Sequence, residues 1–129
     1  MTIKPFQAWA LLTLLCACAP GPTQEVPDEF KKGQKQFHRV CSNCHGADAM
    51  GGHTKAPRLI DEEFLPPDFT DDDIRDTILN GSSSGKMPPQ KTGVSEEEIG
   101  DIIKYLRYSQ KAAGVEPADD EEDEDDEEA

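Results

Sequence analysis

The chain has 129 residues, enough for one small domain but not for two, and its formal net charge is -14. Eleven of its 27 acidic residues lie between Glu116 and Ala129, so the rest of the chain holds 16 acidic residues against 13 lysines and arginines. This balance excludes the basic stripe that nucleic-acid binding requires, and it excludes attachment to anionic lipid by charge alone.

The first element along the chain has the pattern of an export signal. Lys4 supplies a positive charge, and Ala8–Leu15 is an apolar run too short to span a bilayer, since a spanning helix takes about 20 residues. A buried or amphipathic helix is the alternative, but the run has no polar face and the sequence APGP follows closely. We therefore predict that residues 1–17 form a signal peptide and that the protein is exported.

The cysteines at the end of this signal indicate how the mature chain begins. Leu15–Cys18 resembles a bacterial lipobox, with small Ala17 directly before the cysteine that would carry lipid. An ordinary cleavage site here would leave Pro20 at the new N-terminus, which such peptidases disfavour. We predict a lipoprotein anchored through Cys18 on the periplasmic side of a bacterial membrane, rather than a soluble secreted protein with a spare cysteine. The absence of aspartate at position 19 slightly favours the outer membrane.

A tether and a first helix are predicted next. Residues 18–27 are rich in proline, a composition typical of a spacer that holds a domain away from a membrane. Asp28 is a plausible N-cap for a helix that runs to about Val40. The segment from Gly46 to Pro67 is then loop-like, and a loop of this length inside a compact domain indicates that it is wrapped around something.

Two further helices complete the predicted domain. Thr70 caps the first of them, three aspartates follow in its first turn, and Gly81 ends it. Ser95 opens the last helix with a capping box, and an apolar stripe continues to about Ser109. With no convincing strand, residues 28–113 are predicted to be an all-α domain whose apolar core is thin unless something else fills its middle.

The chemistry of the chain is concentrated in Cys41-Ser42-Asn43-Cys44-His45, which is C-x-x-C-H, the attachment pattern of c-type haem. Two thiols about one helical turn apart can each add to a vinyl group of one haem, and the histidine then lies beneath the iron as its proximal ligand. A thioredoxin-like thiol pair would need a βαβ context, and a closed zinc site would need four ligands, for which only His38 and His53 remain. One covalent haem c is the prediction.

With this motif in place, residues 28–113, about two thirds of the chain, resemble a class I cytochrome c domain. The resemblance implies a small all-α fold of three main helices, with long loops wrapped around the covalently attached haem. It also implies that the first and last helices cross closely, with Gly33, Phe37 and Tyr105 at the crossing. A tolerated mid-helix glycine is the alternative interpretation of Gly33, and close crossing explains this residue better.

The same resemblance assigns the second axial ligand of the iron. The family places a methionine in a loop before its last helix, and the sequence GKMPP matches there, which implies Met87 as the ligand. Ligation by histidine and methionine raises the reduction potential. Pro57 matches the proline whose carbonyl accepts the remaining N–H of His45 and fixes its ring. His38 and His53 are the rival ligands, and Met87 as a simple gap-filler is the other alternative.

The predicted function is the transfer of single electrons between a protein donor and a protein acceptor outside the cytoplasm. Catalysis and a small-molecule substrate are not expected, because two axial ligands leave no open iron site. The alternatives are an electron-transfer subunit of a larger oxidase or dehydrogenase complex, and a haem-based gas or redox sensor in which Met87 leaves the iron. Residues 114–129 are predicted to be disordered, either as a solubilising tail or as a docking arm for a basic redox partner.

Overall fold

The computed structural model describes residues 20–52 and 54–115. This part of the chain is helical and contains no strand, which confirms the all-α prediction. Four helices follow one another in the order α1 (Asp28–Val40), α2 (Ser42–His45), α3 (Asp71–Asn80) and α4 (Glu96–Ala112). α1, α3 and α4 are the three predicted helices, and α2 adds a single short turn within the C-x-x-C-H motif.

The close crossing of α1 and α4 forms the centre of the core. A Cβ atom built on Gly33 would lie 2.0 Å from the carbonyl oxygen of Asp101 on α4, so the two backbones nearly touch at this point. Next to it, the rings of Phe37 and Tyr105 pack with their centroids 5.5 Å apart, and both side chains are almost completely buried. Gly33 is therefore required by the packing of the two helices, as the resemblance implied.

α3 and α4 begin at the side-chain caps that the sequence predicts. The hydroxyl of Thr70 accepts from the backbone N–H of Asp73, whose carboxylate accepts from the backbone N–H of Thr70 in return. Ser95 and Glu98 form the same reciprocal pair at the start of α4. Such capping boxes satisfy two backbone donors that a helix start otherwise leaves unpaired.

The start of α1 differs from the prediction. Pro27 occupies the cap position and there is no side-chain cap, while Asp28 is already the first helical residue. The carboxylate of Asp28 pairs instead with Lys31, one turn further along the helix. Its negative charge still lies at the positive end of the helix dipole, so it favours a helix start here without capping it.

Residues 20–27, which we call the strap, pack along α1. Val26 is buried, Thr23 donates two hydrogen bonds to Asp48, and the carbonyl of Gln24 accepts from the side chain of Gln34. The structure therefore differs from the predicted tether over these residues. The burial of Val26 and the hydrogen bonds to the domain hold the strap in place. Composition does not reveal these contacts, and the prolines alone would leave the segment extended in solvent.

The other predictions for the two termini, namely the signal peptide of residues 1–17, Cys18 and the acidic residues 116–129, lie outside the described residues. At the C-terminal boundary, the N–H groups of Gly114 and Val115 still close the end of α4. Among the helices of the described ranges, none combines the length and the apolar character that crossing a membrane would take.

Candidate functional site

The C-x-x-C-H motif begins directly after α1, where the chain turns, and its last four residues form α2. The N–H of Cys41 reaches the carbonyl of Phe37 at 2.7 Å, and the N–H groups of Cys44 and His45 then turn back onto the carbonyl of Cys41 at 3.1 and 3.0 Å. Cys41 is partly buried, Cys44 is exposed, and both are free thiols. Burial raises the pKa of the Cys41 thiol to about 12, so this thiol is neutral at physiological pH. The turn holds the two sulfur-bearing residues about one helical turn apart.

The ring of His45 is held in one orientation. Its side chain is buried, and Nδ1 lies 2.9 Å from the carbonyl oxygen of Pro57. A carbonyl oxygen can only accept a hydrogen bond, so Nδ1 carries the ring proton and Nε2 keeps its lone pair. Nε2 is therefore the atom that can bind a metal, and the bond to Pro57 makes it a more basic ligand.

Glycine allows the chain to fold back over His45. Gly46 adopts a φ of 78°, and a Cβ atom there would lie 1.8 Å from the carbonyl oxygen of Gly51. The N–H of Gly51 donates to the carbonyl of His45 at 2.8 Å, which closes the turn. A side chain at position 46 would therefore push apart the loop that brings Pro57 to the ring.

Met87 lies in the loop between α3 and α4, where Ser82 fixes its backbone. The N–H of Met87 donates to the Ser82 hydroxyl at 3.0 Å, and its carbonyl accepts from the N–H of Ser82 at 3.1 Å. The Met87 side chain is partly buried against the core. Sequence reasoning missed Ser82, because one of three consecutive serines between glycines looks like ordinary loop sequence.

The long loop between α2 and α3 is bound to α4 by Arg107. The guanidinium group donates to the carbonyl oxygens of Phe64 and Phe69, each at 2.7 Å, and to the carboxylate of Asp71 at 2.8 Å. A planar guanidinium suits this role because its donors are fixed in direction. One side chain thus ties two separated points of the loop, and the first residue of α3, to the last helix.

Gln110, one turn further along α4, continues this attachment toward the histidine. It is almost completely buried and donates to the carbonyl of Leu59 at 2.8 Å, while its own oxygen accepts from Arg107. Leu59 is two residues from Pro57, whose carbonyl holds His45. α4 therefore positions the proximal side of the site, and no motif in the sequence indicates this role for either polar residue.

A buried carboxylate lies three residues after His45. Asp48 is only 3% exposed and accepts from the N–H and the hydroxyl of Thr23, at 2.8 and 2.6 Å, and from the Tyr105 hydroxyl at 3.0 Å. Burial alone would raise the pKa of this carboxyl, but the bonds from Thr23 and Tyr105 outweigh it and hold the pKa below its ordinary value. Asp48 thus joins the strap to α4.

His38, one of the rival iron ligands, is engaged in the same region. Its Nδ1 lies 2.7 Å from the carbonyl of Gln34, and its Nε2 accepts from the backbone N–H of Asp48 at 3.1 Å. With both ring nitrogens bound in the interior, His38 has no lone pair to offer a metal. The second rival, His53, lies outside the described residues.

The donor set fits a haem. His45 offers an imidazole nitrogen and Met87 a thioether sulfur, which are the axial ligands of one class of cytochrome, and the two cysteines have the attachment spacing. Partly buried apolar side chains of the kind that contact a flat apolar group pack against the core: Val40, Leu59, Phe69 and Leu79. Within residues 20–52 and 54–115, no group of three or more histidine, cysteine and carboxylate side chains lies close enough together to hold a metal ion.

The fold and these residues define a class I c-type cytochrome, a class that transfers electrons through haem and generally works outside the cytoplasm. The model of the family described as cytochrome c oxidase, cbb3-type, subunit III matches residues 28–106. This match covers more than half of the chain, and the chain belongs to that family.

Individual relatives agree with this assignment. The chain is 35% identical over 81 residues to the Cbb3-type cytochrome c oxidase subunit CcoP of Rubrivivax gelatinosus, an alignment that covers 62% of this chain and 26% of that protein. It is 30% identical over 66 residues to cytochrome c-554(548) of Halomonas halodenitrificans, covering 51% of this chain and 80% of the relative. The chain thus spans about a quarter of the oxidase subunit and most of the small cytochrome.

A solved structure shows the same fold. The crystal structure of cytochrome CL from the marine methylotroph Methylophaga aminisulfidivorans superposes with a TM-score of 0.54 at 28% sequence identity. The superposition covers 74% of this chain and 73% of that protein.

Proposed function

We propose that the protein is a single-electron carrier that holds one haem c through Cys41 and Cys44, with His45 and Met87 as the axial ligands. The contact between Nδ1 of His45 and the carbonyl of Pro57 carries this proposal, because it directs the Nδ1 proton to Pro57 and leaves Nε2 as the nitrogen that can bind iron. A bound haem supplies one redox step, the exchange of a single electron between Fe(II) and Fe(III).

The residues of the chain tune and protect that step. Pro57 holds the imidazole ring and makes it a stronger ligand, while Ser82 holds the backbone of Met87. A thioether is a soft ligand that favours Fe(II), so Met87 raises the reduction potential. Because the protein supplies both axial ligands, no position is left for oxygen, peroxide or another small substrate. The protein is therefore a carrier and not an enzyme.

The carrier works outside the cytoplasm and takes its electrons from one protein and gives them to another. The export-type sequence of residues 1–17 and the lipobox pattern before Cys18 support a protein anchored by lipid on the periplasmic side of a membrane, with the outer membrane slightly favoured. The formal charge of -14 argues against attachment by charge to anionic lipid.

A second candidate function is an electron-transfer subunit of a terminal oxidase complex. The family match and the 35% identity to CcoP favour it, although the similarity covers one domain of that longer protein. Affinity purification of the tagged chain from gently solubilised membranes separates the two functions. Recovery together with oxidase subunits supports the subunit, and recovery as a lone haem protein supports the free carrier.

The visible spectrum of the mature chain, produced in a host that matures c-type haem, tests the site. We expect haem that survives acid–acetone extraction and, in the oxidised protein, the weak long-wavelength band of a methionine–iron(III) bond. Met87→Ala should abolish that band and lower the reduction potential. Met50→Ala is the matched control, because Met50 is 51% exposed and should leave both unchanged.

Other spectra would overturn parts of the proposal. A long-wavelength band that survives in Met87→Ala would show that another group binds the iron. Rapid binding of carbon monoxide by the reduced, unmodified protein would favour the sensor, in which Met87 leaves the iron. A folded but colourless protein from the same host would refute the haem assignment altogether.

A further inference from the structure

The strap, residues 20–27, contacts the domain at three places: Gln34 on α1, Ser42 on α2, and Asp48, which follows α2. The carbonyl of Pro20 lies 3.0 Å from the Ser42 hydroxyl, which the carbonyl of His38 shares at 2.7 Å, and the carbonyl of Gln24 accepts from Gln34 at 2.7 Å. Between these points, Thr23 gives Asp48 two hydrogen bonds. The strap therefore runs beside α1 from the C-x-x-C-H motif back to the start of the helix.

The central attachment is the strongest of the three. Both bonds from Thr23 go to the same oxygen of Asp48, and a hydrogen bond to a buried carboxylate is roughly twice as strong as one between neutral groups. Tyr105 binds the other oxygen of this carboxylate, which connects the attachment to α4. Burial of Val26 anchors the end of the strap that leads into α1.

The attachment at Ser42 has a consequence for the lipid anchor. Ser42 stands between the two haem-attachment cysteines, and Pro20 is only two positions after Cys18. Two residues span at most about 7 Å. A free, proline-rich tether over residues 18–27 would instead extend by about 3.1 Å per residue, so the domain would lie up to roughly 30 Å from its anchor and have no fixed orientation.

We propose that the strap holds the domain on the bilayer surface with the C-x-x-C-H end of α1 next to the lipid headgroups. This inference rests on the lipid anchor of the proposed function. The surface that faces the membrane is the one around Pro20 and Ser42, so Cys41 and Cys44, which would attach the haem, lie beside the bilayer. In this orientation the carrier is suited to redox partners embedded in the same membrane.

Spin labels on the mature, lipidated chain in vesicles test the orientation. One label replaces Lys35, which is exposed on α1 and lies one turn from Lys31, a residue that lines the cavity beside the strap. The other label replaces Asp72, exposed at the start of α3, a helix that packs on α4 rather than on α1. Nickel chelated to the lipid headgroups relaxes nearby labels, so we expect a clearly larger effect at position 35 than at position 72.

A flexible Gly/Ser insertion between Gly21 and Pro22 is the decisive variant. It keeps the bonds of Thr23 and the burial of Val26, so the fold is retained, but it frees Pro20 and the anchor. The difference between the two labels should disappear. The same insertion between Val115 and Glu116 is the matched control and should leave the difference intact.

The possible outcomes separate this inference from the proposed function. Equal relaxation at the two positions in the otherwise unmodified chain would refute a fixed orientation, as would a difference that survives the insertion at Gly21. A chain that does not sediment with vesicles would refute the anchor and the orientation together. In each of these cases, the visible spectrum of the same sample reports independently whether the carrier site is intact.

Discussion

Replacing Gly33 with alanine should destabilise the protein, although alanine is the better helix former. The new Cβ atom would lie 2.0 Å from the carbonyl oxygen of Asp101 and 2.8 Å from Cβ of Tyr105, where an ordinary contact needs at least 3.4 Å. These two atoms belong to the backbone of α4 or are bonded directly to it, so no side-chain rotation relieves the overlap. α1 and α4 must move apart by more than 1 Å at their crossing.

The magnitude follows from two opposing effects. Alanine gains about 1 kcal/mol over glycine inside a helix. Forcing extra volume into a packed core costs about 1–3 kcal/mol and occasionally more, and rigid backbone places this site at the upper end of that range. We expect a net loss of about 2 kcal/mol in the free energy of unfolding, which lowers the melting temperature of a domain this size by on the order of 10 °C.

Gly100→Ala is the matched control on the partner helix. A Cβ atom on Gly100 meets nothing within 4 Å, so only the gain in helix propensity remains, and stability should rise by up to about 1 kcal/mol. Thermal and guanidinium unfolding of the haem-loaded proteins, followed by far-ultraviolet circular dichroism, measures both variants. The argument from close crossing would be refuted if Gly33→Ala were as stable as the unmodified protein, or if it raised stability as Gly100→Ala should.

Two further predictions concern the polar contacts that hold the site. Arg107→Lys should cost about 1.5–3 kcal/mol of stability and speed amide exchange in residues 57–70, because one ammonium cannot replace the bonds to Phe64, Phe69 and Asp71. Arg75→Lys is the control, since it disturbs only an exposed pair with Glu96 and should change stability little. Equal effects of the two substitutions would contradict the role of Arg107. Asp48→Asn should destabilise the protein at neutral pH, because folding lowers the pKa of the Asp48 carboxyl and its ionised form therefore stabilises the folded state. This stabilisation is fully present above the ordinary pKa of 3.8 and is lost as the pH falls through the lower pKa of the folded state. Guanidinium unfolding over a pH series measures the difference in the free energy of unfolding between Asp48→Asn and the unmodified protein. This difference should shrink as the pH falls below 3.8, and a difference that does not change with pH would contradict the role of the Asp48 carboxylate.

Short-range signals in the sequence predicted most of the helical framework. The caps at Thr70 and Ser95 involve residues three positions apart, so the chain determines them locally before any tertiary contact forms. The C-x-x-C-H motif is local for the same reason, and its attachment chemistry depends on spacing alone. The roles of Met87 and Pro57 came from a family resemblance, and Met87 as an iron ligand stays a prediction.

The positioning of the site depends on contacts between distant parts of the chain. Asp48 bonds to Thr23 across 25 positions and to Tyr105 across 57, and Gln110 reaches Leu59 across 51. Thr23, in particular, lies in a proline-rich stretch that composition assigns to a spacer.

The sequence by itself determined where α3 and α4 begin, which residues form the C-x-x-C-H motif, and where an export signal is expected, because each of these depends on residues that are neighbours along the chain. Only the tertiary structure decided that the strap packs on α1, that α4 holds the loop carrying Pro57, and that Asp48 is buried with a φ of 52°. The physical reason is that a hydrogen bond or a buried carboxylate is stabilised by the groups that surround it in space. Those groups come together only when the whole chain has folded.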